Sequence, residues 1–320
     1  MLCIHLKETD PWFCLAAEEF LLKNYQEDIF MIWQSEDTVV AGKHQNMMGE
    51  INYRYVREHG IRLARRISGG GTVFHDRGNV NFTCIKSVSG PQEISFSRFT
   101  EPVREALREL GVHAVTSGRN DLLVEGKKVS GNAEHVYKNR VLHHGTLLFN
   151  ADLAALGHAI RVVPGAYQGK AVQSNRSTVA NIAEFLPAVM TTGEFIAHLL
   201  HSRLRQDPES LMAELPHAER REISRLAEEK FHTREWTFFY SPAYVFTRTT
   251  SLPAGEITVH LQVEKGMITA AHLEAPFLTL AARGEVARAL SGLPHLYEEV
   301  ADTLAGCGLT PDDDLVYAFF

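Results

Sequence analysis

The chain has 320 residues, a formal net charge of −7 and 45% hydrophobic residues. That length suits one large domain or two, with ample apolar material for a core. The acidic balance excludes a general nucleic-acid binder, and no apolar run approaches the roughly 18 residues of a membrane span.

Leu2–Leu6 reads as a short first strand, with no signal-like segment, so the expected compartment is the cytoplasm. Asp10-Pro11 opens a helix, Asp10 as N-cap and Pro11 at its first position. Phe13, Ala16, Ala17, Phe20 and Leu21 then form an apolar stripe. Glu18 and Glu19 on that helix read as part of a solvated face. Ile29–Trp33 and Thr38–Ala41 read as strands, and the polar run Gly42-Lys43-His44-Gln45-Asn46 suits a binding loop. The four cysteines (Cys3, Cys14, Cys84, Cys307) show no C-x-x-C spacing and are expected to be reduced and structural.

Next comes Arg65-Arg66-Ile67-Ser68-Gly69-Gly70-Gly71-Thr72-Val73-Phe74-His75-Asp76, continuing to Gly78-Asn79. Three consecutive glycines cost backbone entropy, and their bare N–H groups approach an anion closely. Arg66 upstream adds a forked, charge-assisted donor. The competing reading is a plain turn between strands Ile61–Ala64 and Thr72–Phe74. Further on, Glu93–Leu110 reads as a helix. Asn120–Val124, the turn Glu125-Gly126 and Lys127–Ala133 read as a hairpin. Adjacent lysines on a strand point to opposite faces, so Lys128 is expected to share a face with Ser130, and Lys127 the other. Val141–Leu148 is the next strand, carrying His143-His144; no Cys or acidic partner lies at metal-ligand spacing from them. Asn150–Ile160 reads as a helix and Val163–Ser177 as a mobile loop. Helices Thr192–Arg205 and His217–Phe231 follow. The remainder alternates strands (Ala243–Arg248, Glu256–Val263, Met267–Leu273) and helices (Leu280–Leu290, Leu296–Gly306), a small α+β unit.

Taken jointly, Arg-Arg-x-Ser-Gly-Gly-Gly-x-Val-Phe-His-Asp-x-Gly-Asn, Asn120-Asp121, Lys128-Val129-Ser130-Gly131, His143-His144-Gly145-Thr146-Leu147-Leu148 and Ser174–Ile182 resemble the lipoate–protein ligases, relatives of the biotin ligases and octanoyltransferases. The resemblance implies an α+β fold: a large mixed-sheet catalytic domain over 1–242 and a small α+β accessory domain over 243–320. It implies ATP-dependent activation of lipoate to lipoyl-AMP, then transfer to a lysine of lipoyl domains, those of 2-oxoacid dehydrogenase E2 subunits and the glycine cleavage H protein. Lys128 is the implied reactive-site lysine. ATP and the adenylate are expected at Arg66, Gly71, Thr72, Val73, Phe74, Asn79, Asp121, Lys128, Ser174 and Asn181. Lipoate is expected at Arg66, Ser68, Gly69, Gly70, His75, Lys128, His144 and Gly145. Mg²⁺ is expected at Asp121, and the protein is expected to be a monomer without nucleic-acid or membrane partners.

Two departures stand out. Cys14 replaces a common Asn, and Thr178 replaces an Arg of the adenylate segment, with Arg176 near enough in sequence to compensate. A transferase using a preformed activated acyl donor therefore stays open as an alternative, as does a non-catalytic lipoate-binding or regulatory protein.

Overall fold

The computed structural model describes residues 1–118, 120–160, 163–174 and 177–320. Two compact units form. The larger comprises Met1–Gly42, Arg62–Gly157 and Asn175–Thr233; the smaller comprises Lys43–Ile61, His158–Ser174 and Arg234–Phe320. This partition into compact units is finer than the expected division at residue 242, since Lys43–Ile61 and His158–Ser174 also belong to the smaller unit. The chain enters the smaller unit three times, and one of the two earlier stretches supplies its sheet with the strand Tyr167–Gly169.

The strands, in chain order, are β1 Leu2–Leu6, β2 Ile29–Trp33, β3 Thr38–Ala41, β4 Arg62–Arg65, β5 Val73–His75, β6 Asn79–Ser87, β7 Val115–Ser117, β8 Asp121–Val124, β9 Lys127–Tyr137, β10 Arg140–Leu148, β11 Tyr167–Gly169, β12 Leu211–Ala213, β13 Tyr244–Leu252, β14 Gly255–Glu264 and β15 Met267–Glu274. Among the described residues the larger unit holds an eight-stranded mixed sheet, ordered β12-β1-β2-β6-β10-β9-β8-β7, and a three-stranded sheet, β4-β3-β5. One face of the large sheet carries Phe82, Cys84, Leu122 and Val129, which pack with Phe99, Val103 and Leu107 of helix Phe96–Glu109 and Phe195 and Leu199 of helix Thr192–Gln206. Each such side chain contributes roughly 1.5–3 kcal/mol by leaving water.

Helix Pro11–Asn24 starts as its sequence dictates: Asp10 Oδ1 accepts from the Phe13 N–H at 2.8 Å, with Pro11 next. Glu18 and Glu19, read as solvated, are both buried. Glu19 accepts from Lys23 and Lys230, both at 2.5 Å. The cysteines are free thiols; Cys3, Cys14 and Cys84 are buried, and burial raises all three thiol pKa values.

The smaller unit contains the sheet β11-β13-β14-β15. Tyr167–Gly169, expected inside a mobile loop, is an antiparallel strand against Tyr244–Phe246. A run of polar sequence found a sheet edge to satisfy its backbone. In the same unit His295 is buried, and its Nε2 lies 2.6 Å from the Phe319 carbonyl and its Nδ1 2.7 Å from the Tyr244 hydroxyl. A carbonyl only accepts, so Nε2 carries the proton and neutral Nδ1 accepts from Tyr244.

Burial lowers the His295 pKa from 6.5 to about 4. The folded chain therefore binds fewer protons there than the unfolded chain across that window, so stability falls as pH drops from about 6.5 to 4. The slope reaches at most about 1.4 kcal/mol per pH unit from this group. Denaturant titrations at stepped pH should show a shallower slope in His295→Gln than in the parent.

Candidate active site

The glycine loop joins β4 to β5, which flank β3 on opposite sides, β4 parallel and β5 antiparallel to it. It is not a turn between neighbouring strands. To pass from one side to the other it must cross the end of β3, at Gly42. The backbones meet there so closely that a Cβ at Gly42 would lie 2.2 Å from the Gly70 carbonyl oxygen. Gly70 itself has φ +88°, a left-handed conformation that glycine adopts without steric cost.

Arg66 fastens this crossing. Its guanidinium donates to the carbonyls of Val40 (3.1 Å), Gly69 (2.7 Å) and Gly71 (2.6 Å), and to Ser68 Oγ at 3.0 Å. The sequence suggested an anion fork; these contacts are all to the chain itself. Burial pulls the Arg66 pKa down to about 10, against an opposing pull from Glu18, so the group remains a cation near neutral pH.

Ser68 continues a buried chain of hydrogen bonds. Its Oγ lies 2.6 Å from His144 Nε2, and His144 Nδ1 lies 2.9 Å from both Glu18 oxygens. Thr83 donates to Glu18 Oε1 at 2.6 Å and accepts from the Trp33 indole N–H at 3.0 Å. Arg66 and Trp33, at the two ends, are donor-only. Donors therefore run inward from both ends, the indole through Thr83 to Glu18 and the guanidinium to Ser68, which meets His144; His144 Nδ1 in turn faces the Glu18 carboxyl. Glu18, Trp33 and Thr83 were missed from sequence. The available signal was that every residue one turn from Glu18 on the helix, Cys14, Leu15, Leu21 and Leu22, is apolar.

His75 is buried, edge-on to Trp33 at 5.5 Å between centroids. Burial, Arg66 and His144 lower its pKa to about 3, so it is neutral. Its Nδ1, together with Asn79 Oδ1 and Asn81 Nδ2, is a buried polar atom without a hydrogen bond among the described residues. Asn79 and Asn81 are linked to each other at 3.0 Å, on the same side of β6 as Thr83. Asp76 is structural: it accepts from the N–H groups of Gly78, Asn79 and Asp152. Thr72 and Phe74 are buried, Val73 half-buried.

The hairpin β8–β9 decides which lysine faces the loop. Leu122 pairs with Ser130, but Leu123 pairs with Lys128, a bulge at Val129. Two residues of β9 thus oppose one of β8, and the alternation slips. Lys128 lands beside Asp121, Nζ to Oδ1 at 2.8 Å, and a Cβ at Gly131 would lie 3.1 Å from its Nζ. Ser130 points to the opposite face, where Asn132 Nδ2 donates to it at 3.2 Å. The expectation that Lys128 and Ser130 share a face is therefore corrected. Lys127 sits 6.0 Å from the Phe185 ring, on the core side. Gly131 and Ala133 follow on the face of Lys128, and a Cβ at Gly70 would approach Ala133 Cβ at 3.7 Å. His144 pairs with Ala133 and Thr83 in the ladders and shares this face. Loop, Lys128, Asp121 and His144 are brought to one side of the sheet.

Other expected residues lie elsewhere. Gly145 faces the core side; a Cβ there would be 2.1 Å from Asn132 Oδ1. His143 is on that side too, stacked on Phe99 at 5.2 Å. Asn181 exchanges hydrogen bonds with the backbone of Ala151, at 2.8 and 3.0 Å. Ser174 belongs to the smaller unit, donating to the buried Glu50 and accepting from Gln45 at 3.1 Å. Thr178 is exposed, and its carbonyl accepts from the Lys128 N–H at 2.9 Å. Asn175 and Arg176 lie outside the described residues.

Two family models match the chain: the lipoyl protein ligase A/B catalytic domain over residues 10–203 and the bacterial lipoate protein ligase C-terminus over residues 241–312. The chain is 36% identical to lipoate-protein ligase LplJ of Bacillus subtilis over 321 residues, covering 96% of this chain and 97% of the relative. It is 36% identical to lipoate–protein ligase 1 of Staphylococcus aureus over 299 residues, 93% and 91% of the two chains. Its fold matches LipL1 of P. falciparum, solved with lipoate, at a TM-score of 0.64 and 22% identity over 95% and 94% of the chains.

Removing the Glu18 carboxyl should cost both order and stability. Glu18→Ala leaves the buried Thr83 hydroxyl and His144 N–H unsatisfied, at roughly 1–3 kcal/mol each. Glu18→Gln keeps one acceptor for His144 and should lose less than Glu18→Ala. Urea midpoints of the two variants against the parent check the ranking; equal midpoints for Ala and Gln would overturn it.

Proposed function

The chain is a member of the lipoate–protein ligase family, and from that premise we propose that it activates lipoate with ATP as lipoyl-AMP and transfers the lipoyl group to a lysine of lipoyl-domain proteins. A carboxylate is a poor electrophile, and ATP makes it one by forming a mixed anhydride with AMP. The reacting carboxylate and α-phosphate are both anionic, so the site must supply cations and N–H donors between them. The observation that carries the reading is Lys128 on the glycine-loop face, held there by the Val129 bulge beside Asp121.

In this reading Lys128 holds carboxylate against phosphate. The loop Gly69–Gly71, braced from behind by the buried Arg66 cation, takes the phosphate side. His75, Asn79 and Asn81, with polar atoms buried and unpaired among the described residues, supply further contacts to a polar part of the substrates. Mg²⁺ typically uses one or two carboxylates together with substrate phosphates, which suits Asp121; the ion would neutralise charge on pyrophosphate. In the second step the acceptor amine attacks the acyl carbonyl, the carbonyl–phosphate bond breaks and AMP departs with the charge that Lys128 stabilises. The acceptors are lipoyl domains of E2 subunits and the glycine cleavage H protein.

A second reading, transfer from a preformed activated acyl donor without efficient adenylation, is favoured by one observation. Thr178 stands exposed where the family carries a cation.

Lipoate-dependent ATP–pyrophosphate exchange separates the readings. The parent should exchange; absence of exchange with intact transfer from synthetic lipoyl-AMP would replace the ligase by the transferase. Lys128→Ala should lose roughly 10²–10³ in rate in both half-reactions, with Lys127→Ala near the parent. If Lys128→Ala transfers from lipoyl-AMP at the parent rate, the lysine serves activation alone. Replacing all four cysteines by Ala or Ser should leave specific activity within a few-fold, because none lies beside Lys128 and three are buried. Total loss in a folded variant would point to a thioester route.

A further inference from the structure

The inner face of the smaller unit's sheet changes character along β13. Tyr244 and Phe246 are buried, and the residues that follow at the same alternation are Arg248 and Thr250. Their partners on β14, Val259 and Ile257, stay apolar and buried. Two polar side chains thus stand where the pattern calls for core. The neighbouring chain shows why. β11 runs beside β13 with Tyr167 opposite Phe246, and the Thr247 N–H still donates to the Ala166 carbonyl at 2.8 Å. Upstream of Ala166 the chain turns away from the edge. The Ala166 N–H donates to the Val163 carbonyl at 3.3 Å, and Gly165 has φ +79°, the value a type II turn needs at its third residue. Beside Arg248 and Thr250 a cavity of about 570 Å³ opens, a size that takes a small organic ligand.

Tyr53, Tyr167, Tyr317 and Phe320 give this cavity aromatic walls, and Arg54, Arg248 and Asp314 bring charge to it. Arg54 is committed: its guanidinium pairs with Glu58 at 2.8 Å and with Asp314 at 2.6 Å. Arg248 is committed on one side only. Its Nη1 donates to the carbonyls of Tyr317, at 3.4 Å, and of Phe320. Its Nε and Nη2 meet no acceptor among the described residues. Those two nitrogens make one edge of the guanidinium, the kind that grips a carboxylate with two parallel hydrogen bonds. Thr250, two residues on, buries an Oγ1 that also lacks a partner among the described residues. We propose that the cavity binds a small aromatic monocarboxylate, with its carboxylate on the Nε–Nη2 edge of Arg248 and its ring among the four aromatic side chains. Charge sets the valence. With Arg54 and Asp314 offsetting each other, one cation remains, which matches a single negative charge rather than a phosphate dianion. The walls set the body, since ring faces and edges pack best against another ring. A bracing role at Tyr317 and Phe320 accounts for Nη1 of Arg248 and leaves its other edge without a use. The cavity shares no residue with the glycine loop or with Lys128.

The test is a titration of the full chain with sodium benzoate, read from the broadening of the benzoate ring-proton NMR signals. The parent should bind with a dissociation constant of about 1 mM or tighter, within reach of so small a ligand. Benzamide keeps the ring and loses the charge; phenyl phosphate keeps the ring and adds charge. Each should bind roughly tenfold more weakly than benzoate. Arg248→Gln should weaken benzoate binding at least roughly tenfold. Arg248→Lys keeps a cation for the Tyr317 and Phe320 carbonyls but loses the fork, and should weaken binding severalfold; it stands in where Arg248→Gln does not fold. Lys128→Ala should bind benzoate as the parent does, which separates this cavity from the glycine-loop site. The proposal falls if the parent binds no benzoate at about 10 mM, if the folded Arg248 variants keep the parent's affinity, or if Lys128→Ala abolishes binding. Tighter binding of phenyl phosphate than of benzoate would overturn the monocarboxylate assignment.

Discussion

One buried carboxylate organises the candidate site. Glu18 lies at the junction of one hydrogen-bonded series that includes Trp33, Thr83, His144, Ser68 and Arg66. Arg66 at the far end grips the glycine loop. The loop geometry thus depends on a side chain on the first helix, through bonds that are strong because they are buried and costly to break for the same reason. A buried cation and a buried anion at the two points of this series also offset each other's desolvation.

The second constraint is a single extra residue. A regular β9 would turn Lys127 to the loop and Lys128 into the core side. The bulge at Val129 exchanges them, and Val129 itself fills the core. One irregularity thereby serves packing on one face and chemistry on the other, the usual use of a bulge beside a site. The same strand shows why glycine recurs here: Gly131 leaves room for the Lys128 ammonium, and Gly145 for Asn132.

The smaller unit draws its sheet and its supports from three stretches of chain. Its inner face is apolar and carries a neutral histidine satisfied at both nitrogens, while its outer face gathers polar side chains in cross-strand register. The histidine environments on the two faces differ in burial and in partners. One imidazole is locked between a tyrosine and a carbonyl; His260 and His272 lie on the outer face beside Glu274.

The sequence by itself determined a good deal. The capped first helix, the strand and helix order, the glycine loop and the family all follow from local patterns: caps, periodicity and a run of glycines whose cost needs a reason. Arg66, Lys128, His144 and Asp121 were legible because the motif names their types. What each does was not. Whether Arg66 grips an anion or its own loop depends on where Val40, Gly69 and Gly71 place their carbonyls. Which lysine faces the site depends on a bulge that strict alternation cannot foresee. Glu18 looked solvated because its partners lie 50 or more residues away in sequence, on strands whose pairing only the folded sheet decides. Likewise β11 joined the smaller unit because a sheet edge was there to receive its backbone, and Ser174 because Glu50 and Gln45 meet its side chain. Local chemistry specifies elements; register, close approach and burial exist only once distant segments meet, and those set the protonation, orientation and partners of the site.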